Sequence, residues 1–400
     1  MFLLREECSL FDPDKILWLP PSKIINYPQR EFDFENFKGV VLAGEWDRVN
    51  PKDPCHGKFE ELDVYQSLKE VVLEGKSWKE TLYFQRILEA VKKGGVLYNC
   101  VNEDDLNRRC KNIEALFCAI RDHGYKTQRE LMKSAPFAER FVAHGEVTVS
   151  IGRDGDFLFS SGAHRLAVAK ILSIPRIPVN VAVRHKEWAR FAGELARYAR
   201  THGGRLYQPA CHPDLADIPA FHDCEESFRV IRENVSVREG RVLDIRTNLG
   251  YFCHAFEDDG YECYAVEEDP EECRFLRKLR RANHKKFAIV AENIYDWPQI
   301  GLIYFDIVLA LNVFHHALKT KEFSHKLAEL LQECHMRELF IELPADEEID
   351  GVYYRDFYTK YSMRGFLDFI MESSRFKKAE AIGLEGDRRM IYKLSQRGSV

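Results

Sequence analysis

The chain has 400 residues, 45% of them hydrophobic and 30% charged, and a formal net charge of −6. This is the composition of an ordinary globular protein with room for two or three domains. The acid excess argues against a broad nucleic-acid surface, which needs cations to displace counterions, and leaves a small-molecule substrate as the expected partner.

The amino terminus (MFLLREECSLF) meets Arg5, Glu6 and Glu7 after four residues, so it lacks the apolar core of a secretory signal. No membrane is expected as a partner either. The longest apolar candidate, Phe305–Leu311, stops at Asn312, far short of a span. None of the eleven cysteines falls in a CxxC pair. Reduced thiols in a cytoplasmic protein are the expectation. Nothing in the sequence sets an oligomeric state.

Residues 62–134 read as mostly helical, and WKETLYFQRILEAVKKGG (78–95) carries an apolar face closed by glycines. Residues 146–185 read as strand, Asp-Gly turn, strand, small-residue loop, helix and a last strand introduced by Pro178. An amphipathic helix follows at 186–202, and Gly203, Gly204, Pro209, Pro213 and Pro219 then punctuate a connector. Beyond it, strand patterns at 241–245, 262–267, 286–291, 305–311 and 338–343 alternate with helical ones at 250–258, 271–283 and 319–334. Such alternation predicts a parallel sheet with helices on both faces. A helix near 361–373 and two strands, 376–382 and 389–394, joined by GLEGDR, predict a closing antiparallel hairpin. The expected organisation is an α+β domain at 1–190, a helical linker and connector at 191–223, and an α/β doubly wound domain at 224–400.

The chemistry is densest in VLDIRTNLG (242–250), where a strand enters a tight loop before a helix, and in the acidic pair Glu267 and Glu268 that closes the next strand. A loop and a carboxylate at neighbouring strand ends form a cofactor crevice. Asn248 and Gly250 are small enough for close backbone approach. Glu267 offers an acceptor for ribose hydroxyls. Glu292 or Asn293 offers a polar neighbour for a base, and Asp244 can hold the loop and an amino group. Arg246 stands where such a loop usually carries glycine. Its side chain could swing to solvent, grip a ligand carboxylate, or alter the site. Asn312, His315 and His316 follow the fourth strand and are the candidate catalytic residues, since a neutral histidine can take a proton from a nucleophile.

Five segments in order, VLDIRTNLGYF, CYAVEEDP, AENIYDW, FDIVLALNVFHH and ELFIELP, resemble the motifs of class I S-adenosylmethionine-dependent methyltransferases. The resemblance implies a Rossmann-like seven-stranded sheet, S-adenosylmethionine as cofactor, and methyl transfer to a small-molecule or biosynthetic acceptor. No DPPY or NPPY motif follows the fourth strand, which argues against amino-methylation of DNA. The basic run RFLRKLRRANHKK (274–286) reads as the solvated face of a helix.

In the first half, Ser161, Gly162, His164 and Arg165 open a helix after a hairpin, a layout that can cradle a phosphate. The stretch 146–185 resembles the ParB/sulfiredoxin-like fold. This implies a nucleotide site, for ATP or CTP with Mg²⁺. Ala163 stands where sulfiredoxin-like enzymes carry their reactive cysteine, so that redox chemistry is not expected. Glu45 and Asp47 are a weaker candidate for phosphate-bound Mg²⁺. Cys211, His212, His222 and Cys224 fit no zinc spacing, and no metal site is expected. Two alternatives stay open: a bifunctional phosphotransferase or NTPase joined to a methyltransferase, and a nucleotide-sensing regulatory protein with a degenerate methyltransferase site.

Overall fold

The computed structural model describes residues 11–29, 32–50, 52–53, 57–134, 145–314, 320–343, 363–385 and 389–396. The chain divides into two compact units, Met1–Glu194 and Leu195–Val400. The stretch 195–223, expected within a connector, therefore belongs to the second unit. Among the described residues no helix is long and apolar enough to cross a membrane.

The first unit contains strands β1 (Leu17–Leu19), β2 (Ile24–Asn26), β3 (Val40–Leu42), β4 (Val147–Ile151), β5 (Phe157–Ser161) and β6 (Ile177–His185). They form one mixed sheet in the order β1-β6-β4-β5-β2, with β3 also paired to β6. The β4–β5 pair is the antiparallel hairpin expected around the Asp-Gly turn. Its helices are α1 (Phe34–Phe37), α2 (Asp63–Glu74), α3 (Leu82–Lys92), α4 (Glu103–His123), α5 (Gln128–Ser134) and α6 (Ala163–Ile171). The unit is thus α+β, with helices following one another from 63 to 134 as their periodicity predicts. Helix α7 (Lys186–Thr201) carries the chain into the second unit.

In the second unit, helix α8 (Cys224–Asn234) precedes β7 (Arg241–Ile245), α9 (Tyr251–Asp258), β8 (Glu262–Val266), α10 (Pro270–Ala282), β9 (Ala288–Val290), β10 (Tyr304–Leu311), α11 (Lys321–Glu333), β11 (His335–Leu343), α12 (Met363–Glu372), β12 (Lys378–Glu385) and β13 (Arg389–Ser395). The seven strands lie in the order β12-β13-β11-β10-β7-β8-β9. Strands β7 to β11 run parallel, and β13 is antiparallel to both its neighbours. This is the doubly wound sheet with a closing antiparallel hairpin that the alternation predicts.

Successive residues of the central strands feed opposite faces. Along β10, Val308 and Ala310 join one apolar core, with Leu327, Leu331 and Phe366. Ile307 and Leu309 join the other, with Phe252, Phe256 and Leu276. A strand buried on both faces has no reason to alternate apolar with polar, which explains the apolar run after Asp306, from Ile307 to Leu311. The basic run folds largely as α10. Phe275, Leu276 and Leu279 are its fully buried face, while Arg274 and Arg277 stay outside it.

Gly250 caps the start of α9 at φ 79°, and a Cβ there would lie 2.5 Å from Leu276 Cδ1. Left-handed backbone and a buried clash both oppose a side chain. Gly250→Ala is expected to lower unfolding free energy by roughly 2 kcal/mol, as read from urea denaturation.

Candidate functional site

The strand order reverses between β7 and β10. From β7 the sheet grows through β8 to β9, and from β10 it grows the other way to β11. The loops leaving two such strands part in opposite directions and open a crevice at their carboxyl ends. A cavity of about 290 Å³ occurs there, with Arg246 and Asn248 from the loop after β7 and Leu311, Asn312 and Val313 from the end of β10. Glu267, just past β8, and Glu272 on α10 complete this wall. The wall facing it comes from the 198–221 stretch.

Glu267 organises the loop. It is 1% exposed, and its carboxylate accepts backbone N–H groups from Asn248 (2.9 Å), Glu268 (2.9 Å) and Asp269 (3.1 Å). Burial nevertheless raises its pKa above the ordinary carboxylate value, against the backbone bonds that lower it. Asp244 sits one layer deeper, where Thr247 Oγ1 donates to it and the Cys253 thiol lies 3.9 Å away. Burial, with a contribution from the Glu267 charge, pushes its pKa up to about 7. Asp244 therefore shapes the loop from behind rather than facing the cavity.

Asn248 is 6% exposed, and its side-chain Oδ1 is buried without a hydrogen-bond partner. A buried orphan acceptor costs about 1–3 kcal/mol unless a donor arrives. Arg246 and Asn248 both adopt left-handed backbone, at φ 57° and 52°, as does Asn312 at 55°. Arg246 thus occupies the conformation that glycine would take, at a cost of about 1–2 kcal/mol. Its guanidinium lies 3.5 Å from Glu268 and is half exposed. The structure places the side chain at the cavity wall, half exposed, with its guanidinium beside the exposed Glu268. Asn312 donates through Nδ2 to Tyr207 Oη at 2.7 Å.

Asn293 and Glu292 are placed differently from the expectation. Glu292 is exposed. Asn293 caps a short turn by accepting from Tyr295 N at 3.0 Å, and its amide donates to Glu268. Neither lines the cavity; Asn293 acts on the rim acid that also meets Arg246. His315 and His316 lie outside the described residues.

In the first unit, Gly162 is left-handed at φ 89° and caps α6, as a small-residue loop requires. Arg165 is turned inward. Its guanidinium lies 3.3 Å from Glu146, donates to Lys126 O at 2.6 Å and stacks 4.5 Å from the Tyr125 ring centre. His164 Nε2 shares a hydrogen bond of 3.2 Å with Tyr83 Oη, which also accepts from Arg109 Nε at 2.7 Å. Ser161 is exposed at the end of β5. The four residues expected to form one phosphate cradle are thus not brought together on one ligand-facing surface. Glu45 and Asp47 are both taken by Arg153, at 3.2 Å and 2.7 Å, which places a cation where Mg²⁺ was considered. Among the described residues no three His, Cys, Asp or Glu side chains gather as a metal set. In the connector, His212 Nδ1 accepts from Asp214 N and His222 packs on Tyr207.

No family model and no curated protein matches the chain. Solved structures similar to part of the chain do occur. The bifunctional kinase-methyltransferase WbdD is 19% identical with a TM-score of 0.42, over 51% of this chain and 47% of that one. The N-terminal domain of EvdMO1 with SAH bound is 12% identical with a TM-score of 0.38, over 51% and 97%. A TehB-like SAM-dependent methyltransferase from Corynebacterium glutamicum is 12% identical with a TM-score of 0.34, over 52% and 99%. The chain spans about half the length of the WbdD structures it matches.

Sequence reasoning missed the wall built by Tyr198, His202, Arg205, Tyr207 and Phe221. No motif marks it. The available signal was a cluster of aromatic and basic residues in a proline-punctuated stretch.

Two outcomes are expected from these environments. Arg165→Ala leaves the Glu146 carboxyl buried without its cation and lowers the stability of the first unit by about 3 kcal/mol, measured by denaturant unfolding. Asp244 binds its proton more tightly folded, at about 7, than at its ordinary 3.8. Folding is therefore linked to proton uptake between those values. This contribution to stability is fully present below pH 3.8 and is lost as pH rises through 7. Melting temperatures across that range should fall less steeply with rising pH in Asp244→Asn than in the parent.

Proposed function

We propose that the second unit binds S-adenosylmethionine at the β7–β10 crevice and transfers its methyl group to a small-molecule acceptor. The observation that carries this reading is the pair of acceptors at the crevice: the orphan Oδ1 of Asn248 beside the buried carboxylate of Glu267. Both residues line one cavity, and acceptors there suit a ligand rich in donors. A ribose diol and an ammonium supply them.

The electrostatics point the same way. Asp244 and Glu267 both have raised pKa values in a poorly solvated layer. A cationic sulfonium nearby would offset the cost of their ionisation. The five motif segments support the same identification, and all five contribute strands or loops to this one sheet.

Methyl transfer is an in-line displacement, in which the nucleophile bonds to the methyl carbon as the sulfur–carbon bond breaks. Bound S-adenosylmethionine supplies the activated methyl group. What this chain supplies is alignment and exclusion of water. Glu267 and Asn248 would hold the donor's polar groups, and Gly250 lets the backbone pass close to it. Asn312, fixed by Tyr207, would position the acceptor at the end of β10. His315 or His316 is proposed to take the nucleophile's proton. Arg246, paired with Glu268, leaves the crevice open to a cation.

Isothermal titration with S-adenosylhomocysteine tests the reading. The full chain should bind it. Asn248→Gly, which tolerates the left-handed backbone and removes the side chain with its Oδ1, should weaken binding about tenfold, or about 1.4 kcal/mol, without lowering the melting temperature. Absence of heat and of thermal stabilisation with both S-adenosylhomocysteine and S-adenosylmethionine would sink the proposal.

A further inference from the structure

The two walls of the cavity differ in chemistry. The strand-end wall is lined by Glu267, Glu272 and Asn248, whose buried Oδ1 lacks a hydrogen-bond partner. The opposite wall presents the rings of Tyr198, His202, Tyr207 and Phe221 and the cation of Arg205. Phe221 is 51% exposed and Tyr207 37%, a large apolar area to leave at a cavity.

Arg205 differs from Arg246, which meets Glu268. Among the described residues no carboxylate pairs with Arg205. Its one close partner is the Phe221 ring, 5.8 Å from the guanidinium carbon. A guanidinium held over a ring keeps its edge donors available for a planar anion.

This wall is built, not loose. Leu206, 1% exposed, anchors it from below. Leu206 N donates to Pro219 O at 2.8 Å and Phe221 N donates to Leu206 O at 2.9 Å, so two chain segments lie zipped together. Gly203 is left-handed at φ 77°, and a Cβ there would lie 3.2 Å from Phe221 Cζ. The missing side chain is what lets the ring sit beside Arg205. Gln208 Oε1 accepts from Tyr251 N at 3.2 Å, which ties the stretch to the start of α9.

We propose that this wall is the acceptor subsite, and that it takes a small planar acceptor bearing a carboxylate or phosphate group. This rests on the donor reading above. Tyr207 and Phe221 cover the faces of the planar body, and Arg205 pairs with its anion. The acids of the other wall repel that anion. The acceptor therefore enters in one orientation, with its charged end away from Glu267 and its far end toward the strand ends. Arg205 is a specificity-determining residue in this scheme.

The test uses the full chain, with and without saturating S-adenosylhomocysteine, titrated with benzoate, phenyl phosphate and neutral benzamide and followed by ligand-observed NMR. At least one anionic probe should bind tenfold or more tightly than benzamide. Stronger binding of benzoate identifies a carboxylate, and stronger binding of phenyl phosphate a phosphate. Arg205→Met should weaken the anionic probe at least tenfold while changing benzamide and S-adenosylhomocysteine less than twofold. Arg205→Lys should restore part of the loss. Equal binding of benzoate, phenyl phosphate and benzamide overturns the proposal. So does a tenfold loss of S-adenosylhomocysteine in Arg205→Met with the probes unchanged, which would assign Arg205 to the donor. If S-adenosylhomocysteine fails to bind the parent chain, the donor reading falls by itself, and the probe titrations without it still report on this wall.

Discussion

One buried carboxylate fixes the mouth of the second unit. Glu267 gathers three backbone N–H groups, one from the loop after β7 and two from its own loop after β8. Two strand ends that would otherwise fray are thereby held in one frame. Asn248 is positioned through its own N–H, and its side-chain oxygen is left without a partner as a result. Behind this layer, Asp244 and Thr247 lock the turn from the interior. The left-handed residues at 246 and 248 are tolerable only because these bonds over-determine the loop.

The sheet topology and this carboxylate do different work. Reversal of strand order between β7 and β10 makes a crevice without regard to which side chains line it. The polar groups then decide what enters. An acceptor-rich wall meets an aromatic and cationic one within a single unit, so the two sides of the cavity favour groups of unlike charge.

Much of this architecture was legible in the sequence, and the reasons are local. Strand β10 reads as an apolar run from Ile307 to Leu311 because both its faces are buried there. Helix α10 announces itself by Phe275, Leu276 and Leu279 at helical spacing. Residues whose roles depend on distant partners were not legible. Arg165 looked like a phosphate ligand because Glu146 and Lys126, which hold it, lie 19 and 39 positions away in the chain. Asp47 looked like a metal ligand because Arg153, which holds it, lies 106 positions away. Glu292 and Asn293 sit in the expected loop, yet the loop turns them to the rim. The Arg205–Phe221 wall has no period and no motif; only the pairing of residues 206 and 219–221 brings it together.

The contact between Arg246 and Glu268 is long, exposed and open to water. Such a pair is worth about 0–1 kcal/mol, far less than the backbone bonds that shape the loop beneath it. The loop's form and its charge are therefore separable. Arg246 can leave Glu268 for another anion without any change in the path of the chain. A substitution at 246 can likewise retune which charges the crevice admits while the frame held by Glu267 stays as it is. Position 246 is a place where selectivity can drift without the fold being tested.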